Sequence, residues 1–143
     1  MIVGLEHVAI SVSDLDEAVA RFVDDLGLLL EGIEDVPAAL TRTAFVPVAG
    51  PTSIELVTPL HGQGPLVGSL AKRGPGLHHL CFRVANIIQA MDALKARGVK
   101  FIDDQPRQGA HGSQIAFLHP ASAGGLLIEL KQPAVARAEP GHP

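Results

Sequence analysis

The strongest constraint on the fold of this chain is an internal repeat. Residues 6–13 read EHVAISVS and residues 78–85 read HHLCFRVA, and each run alternates like a strand around a histidine. The two histidines, His7 and His79, are 72 positions apart. Because a repeat relates every position in one half to a position in the other, it changes how each polar residue is interpreted.

A second pair of segments repeats near the end of each half. Residues 52–59 read TSIELVTP and residues 125–133 read GLLIELKQP. Glu55 and Glu129 occupy corresponding places in these runs, 74 positions apart. The repeat therefore includes one histidine and one glutamate in each half.

An amphipathic helix is predicted after the first strand of each half. Ser13 or Asp14 can cap the first helix, whose apolar residues recur at helical spacing as far as Gly27. Asn86 precedes the second helix, which is expected to end near Gly98. Strands that include a hairpin follow each helix. The predicted fold is thus α+β, with two βαβββ modules in a pseudo-two-fold arrangement.

The domain prediction is one compact domain over residues 1–132. A chain of 143 residues, 47% of them hydrophobic, is sufficient for one core. The modules are expected at 1–60 and 76–132, joined by a Gly- and Pro-rich linker at 61–75 in which a short helix can form. Residues 133–143 are rich in Ala and Pro and are predicted to form a disordered tail.

Composition argues against several functional classes. The formal net charge is −4 and neither Trp nor Tyr is present, so nucleic acid is not an expected partner. No apolar run approaches the roughly 18 residues of a membrane span, and no basic and apolar leader precedes the first strand. A cytoplasmic location without membrane contact is predicted. The single cysteine, Cys81, lies in an apolar run typical of a buried thiol and is given no catalytic role.

The repeated histidines and glutamates predict a metal site. A carboxylate in an apolar strand is costly to bury unless it is paired or coordinated. Each residue alone is more typical of a packing or exposed position, but a pseudo-two-fold axis would bring all four together. We therefore expect His7, Glu55, His79 and Glu129 to bind one divalent ion. This mixed nitrogen and oxygen set suits Mn²⁺, Ni²⁺, Zn²⁺, Fe²⁺ or Co²⁺, of which Co²⁺ is our first choice.

The sequence resembles a known family over nearly its whole length. Its most specific segments are GAHGSQIAFLHP at 109–120 and GGLLIEL at 124–130, with GLHHLCFRV at 76–84 as further support. These segments resemble the methylmalonyl-CoA epimerases of the vicinal-oxygen-chelate superfamily. The resemblance implies a curved mixed sheet around a metal site (the glyoxalase or VOC fold) and a homodimer.

The resemblance also implies a reaction, the metal-dependent interconversion of (2R)- and (2S)-methylmalonyl-CoA through a metal-stabilised enolate. A Lewis-acid metal can stabilise the charge created when the proton next to the thioester is removed. Inversion then requires protonation from the opposite face, for which two acid–base groups are the simplest arrangement. Glu129 matches the family glutamate with a base role, and Glu55 is the second candidate.

The glycine-rich segment is the predicted contact with the CoA thioester. Glycines on both sides of a histidine let the backbone approach a ligand closely. The expected substrate-binding residues are Gly109, His111, Gly112 and Ser113. By strand alternation, His78 is expected to point away from the face of His79 and has no assigned role.

The sequence departs from the family where a second base is expected. Members commonly carry Pro-Glu-Gln-Gly where this chain has PAAL at 37–40, and some carry a glutamate where Thr43 stands. Neither Ala38 nor Thr43 can transfer a proton as a carboxylate does. Glu55, a water molecule, or one of the upstream acids Glu34 and Asp35 would have to serve instead.

The sequence is also compatible with three alternative functions. A lactoylglutathione lyase of the glyoxalase I type uses a similar ligand set and also moves a proton next to a metal-bound oxygen. A non-catalytic small-molecule-binding member of the superfamily would bind its ligand in the same concavity. An extradiol dioxygenase, a weaker alternative, would need Fe²⁺ with two histidines and one carboxylate.

Overall fold

The fold contains the two predicted modules. The computed structural model describes residues 1–135. The first module contains β1 (Ile2–Ser11), α1 (Leu15–Ala20), β2 (Gly32–Val36), β3 (Thr41–Pro47) and β4 (Ser53–Pro59). The helix α2 (Pro65–Arg73) follows, and the second module contains β5 (Gly76–Val84), α3 (Ile87–Ala96), β6 (Arg107–Gln108), β7 (Gln114–Phe117) and β8 (Ile128–Gln132). The predicted pair of βαβββ modules is confirmed. Most of the predicted tail, 136–143, lies outside the described residues.

All eight strands form one mixed sheet in the order β2-β3-β4-β1-β5-β8-β7-β6. β1 pairs with β4 in parallel, β5 pairs with β8 in parallel, and the central pair β1 and β5 is antiparallel. Outward from the centre, each module therefore presents its first, fourth, third and second strands in that order. Strands of both modules meet at the centre of the sheet, where the residues of β1, β5 and β8 lie side by side.

Both predicted helix starts are confirmed. The side chain of Asp14 accepts a hydrogen bond of 3.0 Å from the backbone N–H of Glu17, as expected of an N-cap. Asn86 does the same for Gln89 at 3.0 Å. The first helix continues as a π-helical turn over Arg21–Asp25. No helix of residues 1–135 is long and apolar enough to cross a membrane.

Helices α1 and α3 each cover one half of the sheet, with a separate core under each helix. The core of the first module comprises Val12, Leu15, Ala44, Val46 and Leu56. The core of the second module comprises Val84, Ile87, Ala90, Met91, Ala116, Leu118 and Leu130. Because successive side chains of a strand point to opposite faces, the residues between these positions face the other side of the sheet. That side is the concave face, and Pro65 and Leu66 at the start of α2 lie beside it.

Candidate active site

A cavity of about 500 Å³ lies on the concave face and is lined by residues of both modules. Strand alternation explains which side chains of β3, β4, β7 and β8 face it. Lining residues include Thr41, Thr43, Glu55, Val57, Ile115, Phe117, Leu127, Glu129 and Lys131, together with His7, His78 and His79. Much of the remaining wall is apolar, so charged groups inside it are poorly screened by water.

Three donor atoms converge at the centre of this cavity. The Nε2 atoms of His7 and His79 lie 3.1 Å apart. Glu129 Oε1 lies 3.1 Å from the first nitrogen and 3.0 Å from the second. The residues come from β1, β5 and β8, which are neighbours in the sheet. His7 and Glu129 are 3% and 6% exposed, so these polar atoms have little access to water.

The spacing of these atoms fits a divalent ion. Donors bound to one ion at roughly 2.1 Å and at right angles to one another lie about 3 Å apart. Two imidazole nitrogens and a carboxylate oxygen also form a donor set that such ions accept. Three of the four predicted ligands, His7, His79 and Glu129, are therefore arranged as a metal site requires.

Glu55 occupies a different place beside His7. Its Oε2 atom lies 2.7 Å from His7 Nδ1, the ring nitrogen that faces away from the other donors. That nitrogen is buried and has no hydrogen-bond partner within residues 1–135. The contact between His7 Nδ1 and the Glu55 carboxylate is therefore electrostatic. In this arrangement Glu55 contacts a predicted ligand rather than completing the set of converging atoms.

The histidines and glutamates of the site shift the pKa values of one another. Burial lowers the pKa of His7, but the carboxylates of Glu129 and Glu55 outweigh burial and raise this pKa to about 9. Burial raises the pKa of Glu129, whereas hydrogen bonds from His7 and His79 outweigh burial and hold it well below its usual range. Glu129 is therefore ionised, and His7 is protonated in the metal-free protein at neutral pH.

Cys81 lies in the same row of the sheet. It is paired with His7 on one side and with Glu129 on the other. One donor atom from each of these three residues lies within 4.8 Å of the other two. Burial and the nearby Glu129 carboxylate raise the pKa of the Cys81 thiol far above its usual value. His79 completes the donor set on geometric grounds, because its Nε2 atom lies 3.1 Å from His7 Nε2 and 3.0 Å from Glu129 Oε1.

The prediction for His78 was wrong. His78 lines the cavity, and its Nδ1 atom lies 2.8 Å from His79 Nδ1. The reason is a bulge in β5, where Ala9 pairs with His79 but Ile10 pairs with Leu77. An extra residue in one strand interrupts the alternation of side chains. Burial, reinforced by the charge of His79, lowers the pKa of His78 to about 4.

A buried charged cluster borders the cavity and was missed from the sequence. Lys131 is only 8% exposed, and its Nζ atom lies 3.3 Å from Glu6 Oε1. Arg83 donates a 2.7 Å hydrogen bond to the same carboxylate. Burial raises the pKa of Glu6, but Arg83 and Lys131 outweigh burial and lower it. The position of Lys131, two residues after Glu129 in a strand, was the available signal.

The glycine-rich segment divides between the cavity and its border. Gly109 and Ser113 line the cavity, whereas His111 and Gly112 are outside its lining. His111 Nε2 instead lies 2.9 Å from Glu34 Oε2, and its ring centroid is 4.7 Å from that of Phe45. The segment from the second module thereby contacts strands of the first module.

The wall also contains both positions where the family's second glutamate is missing. Ala38 and Thr43 line the cavity. Among the lining residues in the described part of the chain, Glu55 and Glu129 are the only carboxylates. Glu34 and Asp35, the upstream acids, are not lining residues. The acids able to reach a molecule in the cavity are thus the two that the repeat predicts.

Comparisons with known proteins agree with this architecture. Residues 6–117 match the glyoxalase/bleomycin resistance protein/dioxygenase superfamily. An ethylmalonyl-CoA/methylmalonyl-CoA epimerase of Cereibacter sphaeroides is 39% identical, over 92% of this chain and 99% of the relative. The crystal structure of methylmalonyl-CoA epimerase from Mycobacterium tuberculosis is 37% identical with a TM-score of 0.90, over 94% of this chain and 90% of that one.

A third relative was solved with a ligand. It is a variant of Streptomyces coelicolor methylmalonyl-CoA epimerase in complex with 2-nitronate-propionyl-CoA. That chain is 28% identical with a TM-score of 0.89, and the match covers 94% of this chain and 100% of the other. The resemblance recognised from the sequence is confirmed by these comparisons.

Proposed function

The chain belongs to the methylmalonyl-CoA epimerase family of the glyoxalase/bleomycin resistance protein/dioxygenase superfamily, and from this membership we propose that it interconverts (2R)- and (2S)-methylmalonyl-CoA. The observation that carries the proposal is the convergence of His7, His79 and Glu129 in a largely apolar cavity. Such a site can bind an ion and place a carboxylate beside the carbon to be deprotonated.

His7, His79 and Glu129 are the proposed ligands of a divalent ion, with Co²⁺ as the first choice. When bound, this ion would supply Lewis-acid stabilisation of the negative charge that develops on the thioester oxygen. The spacing of about 3 Å between the three donor atoms supports this assignment. Glu55 as a fourth ligand stays a prediction, because its carboxylate contacts His7 Nδ1.

Glu129 is the proposed base on one face of the substrate. It is buried in the cavity wall, and its carboxylate is ionised, which is the form that a base requires. Removal of the C2 proton leaves the electron pair of the broken C–H bond on the thioester enolate. The apolar wall keeps water from competing for that proton.

Glu55 is the proposed acid–base group on the other face. It and Glu129 contact opposite nitrogens of the His7 ring, Nδ1 and Nε2, so the two carboxylates lie on different sides of that ring. A protonated Glu55 would deliver its proton to C2 and so invert the centre. The two glutamates exchange roles when the opposite epimer is the substrate.

Deuterium exchange at C2 of methylmalonyl-CoA in D₂O, followed by NMR, tests this proposal. With wild-type protein reconstituted with Co²⁺, we expect exchange at C2 together with conversion of one epimer to the other. Glu129→Gln and Glu55→Gln keep the shape of each side chain but remove the proton-transferring carboxylate. Each is expected to slow epimerisation by a factor of about 10² to 10⁴.

The outcomes separate the parts of the proposal. Absence of exchange by the metal-loaded wild type would contradict the epimerase function. Turnover of the methylglyoxal–glutathione hemithioacetal instead would favour the glyoxalase I reaction. Full activity of Glu55→Gln would remove Glu55 from the mechanism and leave Glu129 with its role. Glu31→Gln, which makes the same change at an exposed glutamate outside the cavity lining, is the matched control.

Quaternary structure and location are also proposals. We propose a homodimer, supported by exposed apolar side chains such as Ile2, Val3 and Leu77, which are 51%, 59% and 76% exposed. Light scattering on the protein as it elutes from a size-exclusion column measures the mass of the assembly directly.

We propose a cytoplasmic location, supported by the similarity to a bacterial enzyme, and cell fractionation tests it.

A further inference from the structure

The cavity wall contains two cationic side chains that differ in availability. Within the described residues, Arg107 and Lys131 are the only Lys or Arg residues in the lining. Lys131 is buried and paired with Glu6 at 3.3 Å. The side chain of Arg107 is 47% exposed, so its guanidinium is accessible from solvent as well as from the cavity. The two cations are therefore suited to different tasks.

Arg107 is held in position by two neighbours. It lies on β6, where it pairs with Ile115, and its guanidinium carbon is 5.4 Å from the centroid of the Phe117 ring. Its Nε atom lies 3.6 Å from Asp103 Oδ1, while Asp103 Oδ2 accepts a 3.1 Å hydrogen bond from the Phe117 backbone N–H. Stacking on an aromatic face and a nearby carboxylate restrict the side chain before any ligand binds.

The guanidinium nonetheless keeps its hydrogen-bond donors. In residues 1–135 it donates no hydrogen bond, and the 3.6 Å approach to Asp103 is its one ion-pair contact. A guanidinium has five N–H donors in a planar fork that matches the oxygens of a phosphate or a carboxylate. A positioned fork with free donors at a cavity wall is an arrangement that can bind an anion.

The location of Arg107 indicates which anion it contacts. The Phe117 ring lies beside both Arg107 and the metal-site residue His79, since its centroid is 5.4 Å from the Arg107 guanidinium carbon and 5.5 Å from the His79 ring centroid. The thioester and the free carboxylate of the substrate flank C2 and must lie beside Glu129. The phosphates of CoA lie at the far end of an uncharged pantetheine arm, and they are the remaining anionic groups of the substrate.

We propose that Arg107 binds a phosphate group of the CoA moiety at the mouth of the cavity and thereby determines specificity for CoA thioesters. This inference rests on the proposed epimerase function. It implies that the CoA arm leaves the metal site past Phe117, along the wall formed by β6 and β7. Lys131, paired with Glu6 deep in the wall, is not available for that contact.

Steady-state kinetics with two substrates tests the inference. The substrates are methylmalonyl-CoA and methylmalonyl-pantetheine, which carries the same acyl group without phosphates. Arg107→Gln is expected to raise KM for methylmalonyl-CoA about tenfold, with kcat unchanged, because it removes a charge-assisted contact. For methylmalonyl-pantetheine, KM should be the same in the variant and the wild type.

Two further variants complete the design. Arg107→Lys keeps the charge without the fork, and its KM for methylmalonyl-CoA should fall between those of wild type and Arg107→Gln. Arg97→Gln removes an exposed arginine at the end of α3, outside the cavity lining, and should leave both KM values unchanged. Raising the ionic strength should reduce the difference in KM for methylmalonyl-CoA between wild type and Arg107→Gln, because salt screens a partly exposed contact between arginine and phosphate.

Each outcome has a defined meaning. An unchanged KM of Arg107→Gln for methylmalonyl-CoA, with an active wild type, overturns the inference and leaves the epimerase function intact. An equal rise in KM for both substrates also overturns it, since the contact would then be with the methylmalonyl-pantetheine portion that both share. A wild type inactive on both substrates contradicts the proposed function itself. Equal thermal unfolding temperatures of wild type and variant establish that the variant is folded.

Discussion

His7 lies between two carboxylates, so metal binding at this residue must displace a proton. Its pKa is raised to about 9 because Glu129 and Glu55 together outweigh the effect of burial. With a folded pKa above the ordinary value of 6.5, the protonated form stabilises the metal-free protein fully below pH 6.5. That contribution is lost as the pH rises through about 9. An ion bound at Nε2 takes the place of this charge.

The first prediction is therefore that Co²⁺ binding at pH 8 releases about one proton from His7. Isothermal titration calorimetry in two buffers with different ionisation enthalpies measures the number of protons released. Glu55→Gln removes one of the two anions that raise the pKa, so it should reduce proton release at pH 8. The same release in Glu55→Gln and wild type would show that Glu55 does not influence His7.

Gly109 is required by the close approach of its neighbours rather than by its backbone conformation. A Cβ atom at this position would lie 2.7 Å from both Ser113 Oγ and Ile115 Cγ2. Gly109→Ala is therefore expected to lower the free energy of unfolding by about 1–3 kcal/mol. Urea denaturation measures the change. Because Gly109 and Ser113 line the cavity, KM for methylmalonyl-CoA should also rise, and an unchanged KM would argue against a substrate contact there.

At the scale of the element, strand alternation predicted the site only where the strands are regular. Glu55 and Glu129 lie in uninterrupted strands, so their inward orientation followed from their position between apolar residues. Relative to β5, β1 contains extra residues at Val3 and Glu6, and relative to β1, β5 contains one at His78. A bulge depends on how two strands pair, and neither sequence alone specifies that pairing. The inward position of His78 could therefore not be predicted.

Helix α2, within the predicted linker, offers a test of local stability. Gly68 lies in this helix, and a Cβ atom there would meet nothing within 4 Å. Gly68→Ala should raise the free energy of unfolding by about 0.5–1 kcal/mol, because alanine has less backbone freedom to lose than glycine. Urea denaturation of Gly68→Ala and Gly109→Ala measures the change in the free energy of unfolding for each variant. We expect the two changes to have opposite signs. A destabilising Gly68→Ala would contradict the helical, exposed environment of this glycine.

In the whole molecule, the repeat predicted the architecture better than it predicted the site. Its symmetry is preserved in the order of strands, which is the same outward from β1 and from β5. The site is less symmetric, because Glu129 Oε1 approaches both histidines whereas Glu55 Oε2 approaches only the outer nitrogen of His7. Side-chain rotamers respond to local contacts that a backbone repeat does not fix. The resemblance to a family supplied the reaction, which the repeat alone left open.

The converging donors also connect the two modules, since His7 belongs to the first and His79 and Glu129 belong to the second. An ion that binds only the folded chain stabilises it by mass action, by about 2.7 kcal/mol at a free concentration 100 times Kd. We therefore expect Co²⁺ to raise the thermal unfolding temperature of metal-free protein and to saturate at one ion per chain. His79→Ala should abolish this rise, whereas His111→Ala, which offers no atom to the donor set, should retain it. An equal rise in His79→Ala and wild type would place the ion elsewhere and would remove the metal from the proposed mechanism.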